Sequence, residues 1–382
     1  MTQAQIYIYW IDLGKNWFHL VAMDRMGHVL TKQKLTRSQL KQFISTTPPC
    51  RVAFEACPGS QYWGRLFQQA GFEPKIIPAQ FVKPYLKSNK NDFNDATAIA
   101  EAGSRGTMRC VPLKSHEQLA LQATHRVRQR FIVERTATVN QMRALLLEYG
   151  LTVPVGRKVF ERSLPTILED AENGLPDFIR ALVLRLRERW QQLDIQIDDM
   201  SLMLGQASSA SGLCQKISTV PGIGPIVQTA LIATIGNGSQ FKKARDLSAW
   251  LGLVPRQYST GGKSSLGGIR KRGNSYLRQM VIQGAKALKI HMKRDKSSLG
   301  EWVARLEVGH HHHVVLIALA NKIMRICWKV LTSGMDYQPY PNTSSAVYLI
   351  ELIPGFASQK QMTEAFTPRR CSLAKKAVSH DW

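Results

Sequence analysis

The first sixty residues contain short apolar stretches that predict a buried sheet. Residues 6–13 are almost wholly apolar and aromatic, and a strand-like pattern resumes at 17–24 and 28–35, on either side of a turn sequence, Asp-Arg-Met-Gly. Residues 51–56 form another short apolar strand. The run Ala-Thr-Ala-Ile-Ala-Glu-Ala at 96–102 favours helix, so this part of the chain is predicted to be α/β.

Two long amphipathic segments occupy the middle of the chain. Residues 115–149 and 176–204 each carry apolar side chains at helical spacing, and Pro154, Gly156 and Pro165 are predicted to break the pattern between them. Two readings fit this arrangement. The segments form either an antiparallel hairpin that projects from the first domain and serves dimerisation, or an ordinary helical subdomain packed on the core.

A third region combines short helices with glycine-rich turns. The sequence Pro-Gly-Ile-Gly-Pro at 221–225, followed by an apolar helix, is typical of a helix-hairpin-helix, in which backbone N–H groups at a helix N-terminus bind phosphate. A tight turn without a ligand is the alternative. We predict that Gly252 ends the next helix, around 247–251, and that residues 276–290 form another helix.

The charge balance points to a polyanionic partner. The chain of 382 residues has 51 Lys and Arg against 27 Asp and Glu, a formal net charge of +24. Its length predicts two or three domains, and its apolar runs are too short to span a bilayer. The start, polar and then strand-like, predicts no signal peptide, and the six cysteines show no Cys-x-x-Cys pair. We therefore expect a cytoplasmic protein without a disulfide framework or a zinc knuckle.

Four carboxylates near the predicted strands are candidates for metal binding. Asp12 and Glu55 lie near the ends of two buried strands, and Asp92 and Asp95 lie on one face of the predicted helix. Converging like charges raise one another's pKa unless a cation offsets them, and oxygen ligands favour Mg²⁺ or Mn²⁺. The alternative is that Asp12 and Glu55 are ordinary turn acids and that Asp92 caps a helix.

The most basic stretch of the chain contains clustered hydroxyl groups. Residues 256–294 carry ten Lys and Arg and no acid, and Ser259, Thr260, Ser264 and Ser265 lie in the glycine-rich first part. An activated serine there would attack a phosphodiester, and the basic groups would offset the charge of the transition state. A phosphate-gripping loop without covalent chemistry fits the spacing equally, and the spacing alone favours it.

Taken together, these motifs resemble one family. The acidic residues, Pro-Gly-Ile-Gly-Pro, Gly-Leu-Val-Pro-Arg-Gln-Tyr-Ser-Thr-Gly-Gly-Lys at 252–263, Lys-Arg-Gly-Asn at 271–274 and Ala-Leu-Ala-Asn-Lys at 318–322 are similar to those of the DEDD insertion-sequence transposases, the IS110 family in its IS1111 branch. The resemblance runs from about residue 6 to 335. It implies an enzyme that cuts and rejoins donor and target DNA, guided by a bridge RNA.

The resemblance also implies an architecture. It is α/β plus α: a RuvC-like domain of RNase H fold at 1–114, a helical coiled-coil dimerisation segment at 115–208, and a mainly helical transposase domain with the helix-hairpin-helix and serine loop at 209–335. Residues 336–382 carry no usable motif and are taken as an extension. A homodimer or homotetramer is the expected assembly.

Site residues follow from the same motifs. Asp12, Glu55, Asp92 and Asp95 match the acidic tetrad that holds magnesium. Ser259 is the expected nucleophile because its primary hydroxyl is less hindered, with Thr260 as the alternative. The residues expected to bind nucleic acid are Gly222, Gly224, Lys263, Arg270, Lys271 and Arg272.

The expected mechanism links the serine to DNA through a 5′-phosphoserine bond, with metal held by the tetrad polarising the phosphate. Two other functions use the same residues. One is a junction-resolving nuclease that hydrolyses DNA with the tetrad alone. The other is a non-catalytic DNA- or RNA-binding protein that uses the helix-hairpin-helix and the basic face.

Overall fold

The computed structural model describes residues 6–82, 100, 110–295 and 297–339. Its N-terminal part is a mixed five-stranded sheet with the strand order β3-β2-β1-β4-β5. Strand β1 pairs antiparallel with β2 and parallel with β4, and β4 pairs parallel with β5. The strands are β1 (Ile8–Leu13), β2 (Trp17–Met23), β3 (Val29–Thr36), β4 (Arg51–Glu55) and β5 (Glu73–Ile77).

The predicted strands and the turn between β2 and β3 are confirmed. The Asp24 carboxylate accepts hydrogen bonds from the backbone N–H groups of Met26 and His28, at 2.8 and 2.9 Å. Gly27 takes a φ of 89°, in the left-handed region that glycine enters without strain. Strand β5 is an element that the sequence pattern did not reveal.

Alternation along the strands divides the sheet into two buried faces. Tyr9, Ile11 and Phe54 point to the face covered by helices α1 (Arg37–Thr46) and α2 (Ser60–Gln69). Trp10 and Ala53 point to the opposite face. On that second face they pack with Val82, which ends the short helix α3 (Ala79–Val82), and with Ala100.

Both long helices of the middle region are present, as α4 (His116–Glu148) and α6 (Asp177–Ala210). Ser115 begins α4 with a reciprocal capping box to Gln118. The helices pack antiparallel, since Arg128 of α4 bonds Ser201 of α6 whereas Arg135, further along α4, bonds Asp194, which lies earlier in α6.

The prediction that Pro165 breaks the chain between these helices is wrong. Pro165 lies inside helix α5 (Arg157–Glu169). A proline in a helix interior costs about 3 kcal/mol. Burial of Phe160 and Leu164 of α5 in a core shared with Met142 and Trp190 offsets that cost.

The remaining helices form the largest apolar core of the described residues. They are α7 (Gly212–Ser218), α8 (Pro225–Ile235), α9 (Ala244–Trp250), α10 (Ser275–His291), α11 (Ser298–Gly309) and α12 (His312–Ser333). Their order confirms that Gly252, with a φ of 72°, follows the end of α9 and that residues 276–290 are helical. Helix α12 contributes many of the buried side chains, among them Val315, Leu319, Ile323, Cys327 and Val330.

The serine segment is not the glycine-rich loop that the sequence suggested. It forms an exposed antiparallel hairpin of β6 (Pro255–Thr260) and β7 (Lys263–Ile269), in which Thr260 pairs with Lys263. Gly261 and Gly262, with φ values of 55° and 77°, form the two-residue turn between the strands. Two consecutive positive φ angles match the right-handed twist of a hairpin, and glycine adopts them readily.

Within the described ranges, no helix has the length and apolar character that a bilayer span requires. The five cysteines in these ranges, Cys50, Cys57, Cys110, Cys214 and Cys327, are free thiols. Cys371 lies outside the described residues.

A buried polar network joins α4 to the C-terminal helices. His125 of α4 is only 3% exposed; its Nδ1 lies 2.9 Å from the Tyr276 hydroxyl and its Nε2 lies 3.0 Å from Thr229 Oγ1. Thr229 donates its own proton to the Pro225 carbonyl, so it accepts from Nε2–H, and Nδ1 accepts from Tyr276. The geometry therefore requires a neutral imidazole. Burial, and secondarily the charge of Arg128, lowers the pKa of His125 to about 4.

This network predicts an acid-sensitive stability. The unfolded chain takes up the His125 proton near pH 6.5 and the folded chain only near pH 4, so stability from this residue is complete above pH 6.5 and is lost as the pH falls towards 4. The loss amounts to about 3 kcal/mol. Urea unfolding of the native chain and of His125→Gln should show a stability difference that shrinks by about this amount between pH 7 and pH 4. Parallel pH curves for the two proteins would contradict the assignment.

Candidate active site

The pairing of β1 with β4 places two of the predicted carboxylates side by side. The parallel register matches Ile11 with Phe54, and one step further along both strands brings Asp12 beside Glu55. Both are half-buried. By alternation they share the face of Trp10 and Ala53 rather than the face covered by α1 and α2.

Two side chains, His19 and Cys57, lie close to these carboxylates. Nδ1 of the buried His19, on β2, lies 4.0 Å from the Asp12 carboxylate. Cys57 follows Glu55 by two residues, and its thiol donates to the Leu13 carbonyl at a sulfur–oxygen distance of 3.9 Å. Burial first, and then the charges of Asp12 and Glu55, raise the pKa of Cys57 to about 11. His19 and Cys57 are thus neighbours of the two carboxylates that the sequence motifs did not reveal. The sequence did place His19 on the strand next to Asp12 and Cys57 two residues after Glu55.

The other two members of the tetrad, Asp92 and Asp95, lie outside the described residues. Val82 and Ala100 are the described residues that flank them in the sequence. Both are buried on the face of the sheet that carries Asp12 and Glu55. No cluster of three or more His, Cys, Asp or Glu side chains within the described residues is arranged to hold a metal. Asp12 and Glu55 carry hard carboxylate oxygens, the type of ligand that magnesium prefers.

The two candidate nucleophiles lie on opposite faces of the β6–β7 hairpin. Ser259 shares its face with Gln257, whose side-chain amide donates to the Ser259 hydroxyl at 3.0 Å, and with Leu266 across the hairpin. Thr260 shares the other face with Lys263, its cross-strand partner. A phosphate under attack would therefore lie near an ammonium group at Thr260 but near an amide at Ser259.

The basic residues after the hairpin are held by backbone packing. Gly273 approaches Trp250 so closely that a Cβ atom would lie 1.9 Å from the Trp250 carbonyl oxygen. Arg278 of α10 donates to the carbonyl oxygens of Leu251 and Arg272 at 2.9 and 3.0 Å. These contacts fix the loop while Arg270, Lys271 and Arg272 stay largely accessible, as does Lys263 on the hairpin. All four candidate nucleic-acid residues of this region are thus presented to solvent.

The two glycines of the predicted helix-hairpin-helix have different surroundings. Gly222 has a φ of 82°, and a Cβ there would lie 3.0 Å from Leu288 Cβ and 3.1 Å from the Gly284 carbonyl oxygen, both on α10. Gly224 is the N-cap of α8, with ordinary extended dihedral angles and open space around it. The turn therefore packs on α10 through Gly222 and faces solvent at Gly224.

The acids and the hydroxyl groups belong to different parts of the structure. Asp12 and Glu55 sit on the N-terminal sheet, whereas Ser259 and Thr260 sit on a hairpin rooted between α9 and α10. In the described part of the chain, β6 and β7 pack mainly against each other and make no extensive contact with the five-stranded N-terminal sheet.

Comparisons with known proteins cover most of the chain. Residues 214–299 match a family model described as "Transposase IS116/IS110/IS902 family", and residues 11–151 match a DEDD transposase model of the IS110 type. The chain is 43% identical to the transposase for insertion sequence element IS1328 of Yersinia enterocolitica over 85% of its length and 96% of the relative. It is 40% identical to the transposase for insertion sequence element IS1111A of Coxiella burnetii, over 88% of its length and 93% of the relative.

The contrast between the two turn glycines predicts unequal effects of substitution. Gly222→Ala places a Cβ at a positive φ and against α10, and we expect it to lower the free energy of unfolding by about 1–3 kcal/mol. Gly224→Ser is the matched control, since serine is a favourable N-cap and meets no neighbour, so its stability should stay within about 0.5 kcal/mol of the native chain. Urea unfolding measures both. Equal losses would mean that Gly224 is also a packing residue.

Proposed function

Because the chain belongs to the IS116/IS110/IS902 family of insertion-sequence transposases, we propose that it cuts and rejoins DNA with a metal-binding acidic tetrad and a serine nucleophile. The observation that carries the proposal is the placement of Asp12 beside Glu55 on one face of the sheet. Two carboxylates at adjoining strand positions repel each other, and a cation bound between them would offset that repulsion.

In the proposed site, Asp12 and Glu55 hold Mg²⁺ or Mn²⁺ together with Asp92 and Asp95. Bound there, the metal would withdraw charge from a phosphodiester oxygen. The chain's own contribution is to fix the donor positions through the β1–β4 pairing. His19, whose Nδ1 lies 4.0 Å from the Asp12 carboxylate, borders this donor on the β2 side.

The proposed chemical step belongs to Ser259. Its Oγ forms a bond to phosphorus, the bond from phosphorus to the 3′ oxygen breaks, and the serine proton is passed on so that a 3′ hydroxyl leaves. The DNA then carries a 5′-phosphoserine link. Attack by another strand's 3′ hydroxyl reverses the step and releases the serine, so no external energy is needed. Gln257 holds the Ser259 hydroxyl at 3.0 Å before attack.

Nucleic acid would be gripped by the accessible basic residues. Lys263, Arg270, Lys271 and Arg272 contact backbone phosphates beside the hairpin, and the solvent-facing backbone at Gly224 adds N–H donors at the start of α8. Gly222 supports this turn from the α10 side. A bridge RNA that pairs with donor and target DNA completes the proposed complex, and the net charge of +24 suits two polyanions.

The separation of the acids from the hairpin favours an active site completed by a second subunit. Under this proposal, residues 1–114 form a RuvC-like domain, 115–208 the dimerisation segment and 209–335 the transposase domain. The tetrad of one subunit meets Ser259 of another. A homodimer or homotetramer would provide this arrangement.

One face of α6 suits self-association. Leu184, Ile195 and Leu202 are 43%, 66% and 61% exposed, and they lie eleven and seven positions apart. Those intervals are three and two helical turns, so the three side chains form one apolar stripe. Exposed apolar side chains aligned over nearly twenty residues are expected at a helix–helix contact between copies of the chain.

A covalent adduct is the expected signature of the mechanism. The full chain, mixed with Mg²⁺, its flanking non-coding RNA and 3′-end-labelled DNA carrying the element ends, should yield a protein–DNA adduct on a denaturing gel. We expect Ser259→Ala to lower the adduct at least about a thousandfold while RNA and DNA binding persists. Thr260→Val, on the opposite face, should retain the adduct, and Glu55→Gln should lose it.

The same gel separates the competing assignments. An adduct that survives Ser259→Ala and disappears in Thr260→Val would identify Thr260 as the nucleophile. Cleavage by the native chain with free ends and no adduct would indicate a nuclease that hydrolyses DNA. Binding without any metal-dependent cleavage would indicate a non-catalytic nucleic-acid-binding protein.

The α6 stripe yields a separate expectation. Ile195→Asp places a charge in the middle of the stripe, and we expect it to weaken self-association by at least about tenfold, because burying an unpaired carboxylate costs more than 1.4 kcal/mol. Asp198→Asn, close to the stripe on the same helix, is the control. Analytical ultracentrifugation reports the dissociation constants. An unchanged constant for Ile195→Asp would place the subunit contact elsewhere.

A further inference from the structure

A large apolar groove runs along α12 in the C-terminal helical part. Its volume is about 1410 Å³, above the range of roughly 300–1,000 Å³ that is usual for small-molecule sites. The floor is formed by apolar side chains from the segment after α9, from α11 and from α12. They include Leu253, Leu299, Trp302, Val314, Ile317 and Ile326.

The rim of this groove is positively charged. Lys271, Lys322, Arg325 and Lys329 line it, and Asp336 is the one carboxylate among the described lining residues. The Lys322 ammonium lies 4.2 Å from the centre of the Trp302 ring. Burial, and then the charges of Arg305 and Arg325, lower the pKa of Lys322. A carboxylate from an incoming group would relieve this crowding of positive charge.

The described chain ends in the wall of the same groove. Residues 335–339 line it, and the backbone N–H of Tyr337 donates to Thr219 Oγ1 at 3.0 Å, which anchors this stretch to the α7–α8 turn. Residues 340–382 continue from Pro339. The first six of them, Tyr-Pro-Asn-Thr-Ser-Ser, can span up to about 20 Å, so the sequence after them starts within reach of the floor.

The sequence that follows is complementary to the groove in polarity and charge. Residues 346–353 read Ala-Val-Tyr-Leu-Ile-Glu-Leu-Ile, an apolar run interrupted by Glu351, and no Lys or Arg occurs between residues 340 and 359. A carboxylate in the middle of such a run is costly to bury without a cationic partner. The groove provides both an apolar floor for the apolar residues and lysines on its rim for the carboxylate.

We propose that residues 346–356 of this chain dock in cis into the α12 groove, with the Glu351 carboxylate paired to Lys322 or Lys329. The short connection gives the segment an effective concentration in the millimolar range, so modest apolar burial suffices for occupancy. Gly267, Gly268 and Ile269 at the base of the hairpin also line the groove. The docked segment would therefore contact the root of the strand pair that carries Ser259. The proposal does not depend on the chemistry assigned to Ser259.

Carbodiimide crosslinking of the full chain tests the docking. The reagent joins a carboxylate to an amine only when the two are in contact, and mass spectrometry of the digested monomer identifies the pairs. We expect Glu351 to crosslink to Lys322 or Lys329 at least about tenfold more than Glu364 does, because Glu364 shares the tethering but lies outside the docked segment.

Three variants sharpen the test. Leu349→Ser with Leu352→Ser removes apolar burial from the segment and Val314→Asp, at a position 53% exposed, changes the groove without burying a charge in the core. Each should lower the Glu351 crosslink at least about tenfold, which is 1.4 kcal/mol of docking free energy. Ser344→Ala, in the connecting residues, should leave it unchanged.

Three results would overturn the proposal. Equal crosslinking of Glu351 and Glu364 would show that the segment is tethered but not docked. Crosslinks between isotopically light and heavy chains in a mixture would show that the groove takes the segment of a second copy. Protection of Lys322 from acylation by added RNA or DNA, with no Glu351 crosslink in its absence, would make the groove a nucleic-acid site.

Discussion

The parallel pairing of β1 with β4 is the constraint on which the candidate site depends. Its register sets Asp12 beside Glu55, and strand alternation turns both carboxylates towards the face that holds Trp10, Val82 and Ala100. A shift of one residue would send one carboxylate into the apolar layer under α1 and α2. The buried side chains on both faces therefore specify the geometry of the acids as well as the stability of the sheet.

The C-terminal part follows a different principle, in which close backbone contacts position exposed groups. Gly273 against Trp250, and Gly222 against Gly284, bring elements together at distances that a side chain would prevent. Those contacts leave the hairpin and its basic flank free of the core. Exposure suits the role in nucleic-acid binding that we propose for these residues, and the helical core beneath supplies the rigidity.

Local sequence patterns predict much of the architecture. The alternation at 6–35, the helical spacing of apolar residues at 115–149 and the stop at Gly252 are local signals, and the elements they predict are present. Local patterns did not predict strand β5 or the position of Pro165 inside a helix. Each depends on contacts with residues distant in sequence. The serine segment was predicted to be a phosphate-binding loop because it is rich in glycine, but two of those glycines form the turn of a hairpin.

The amino-acid sequence by itself determined the family, the charge that calls for a polyanion, and the identities of the candidate acids and hydroxyl groups, since these are properties of residue type and spacing. Only the tertiary structure decided which of them are neighbours. It placed Asp12 with Glu55, His19 and Cys57, put Ser259 and Thr260 on opposite faces of a hairpin, and brought the end of the described chain to an apolar groove. These arrangements depend on strand register and helix packing, which are set by contacts summed over the whole core rather than by any local pattern.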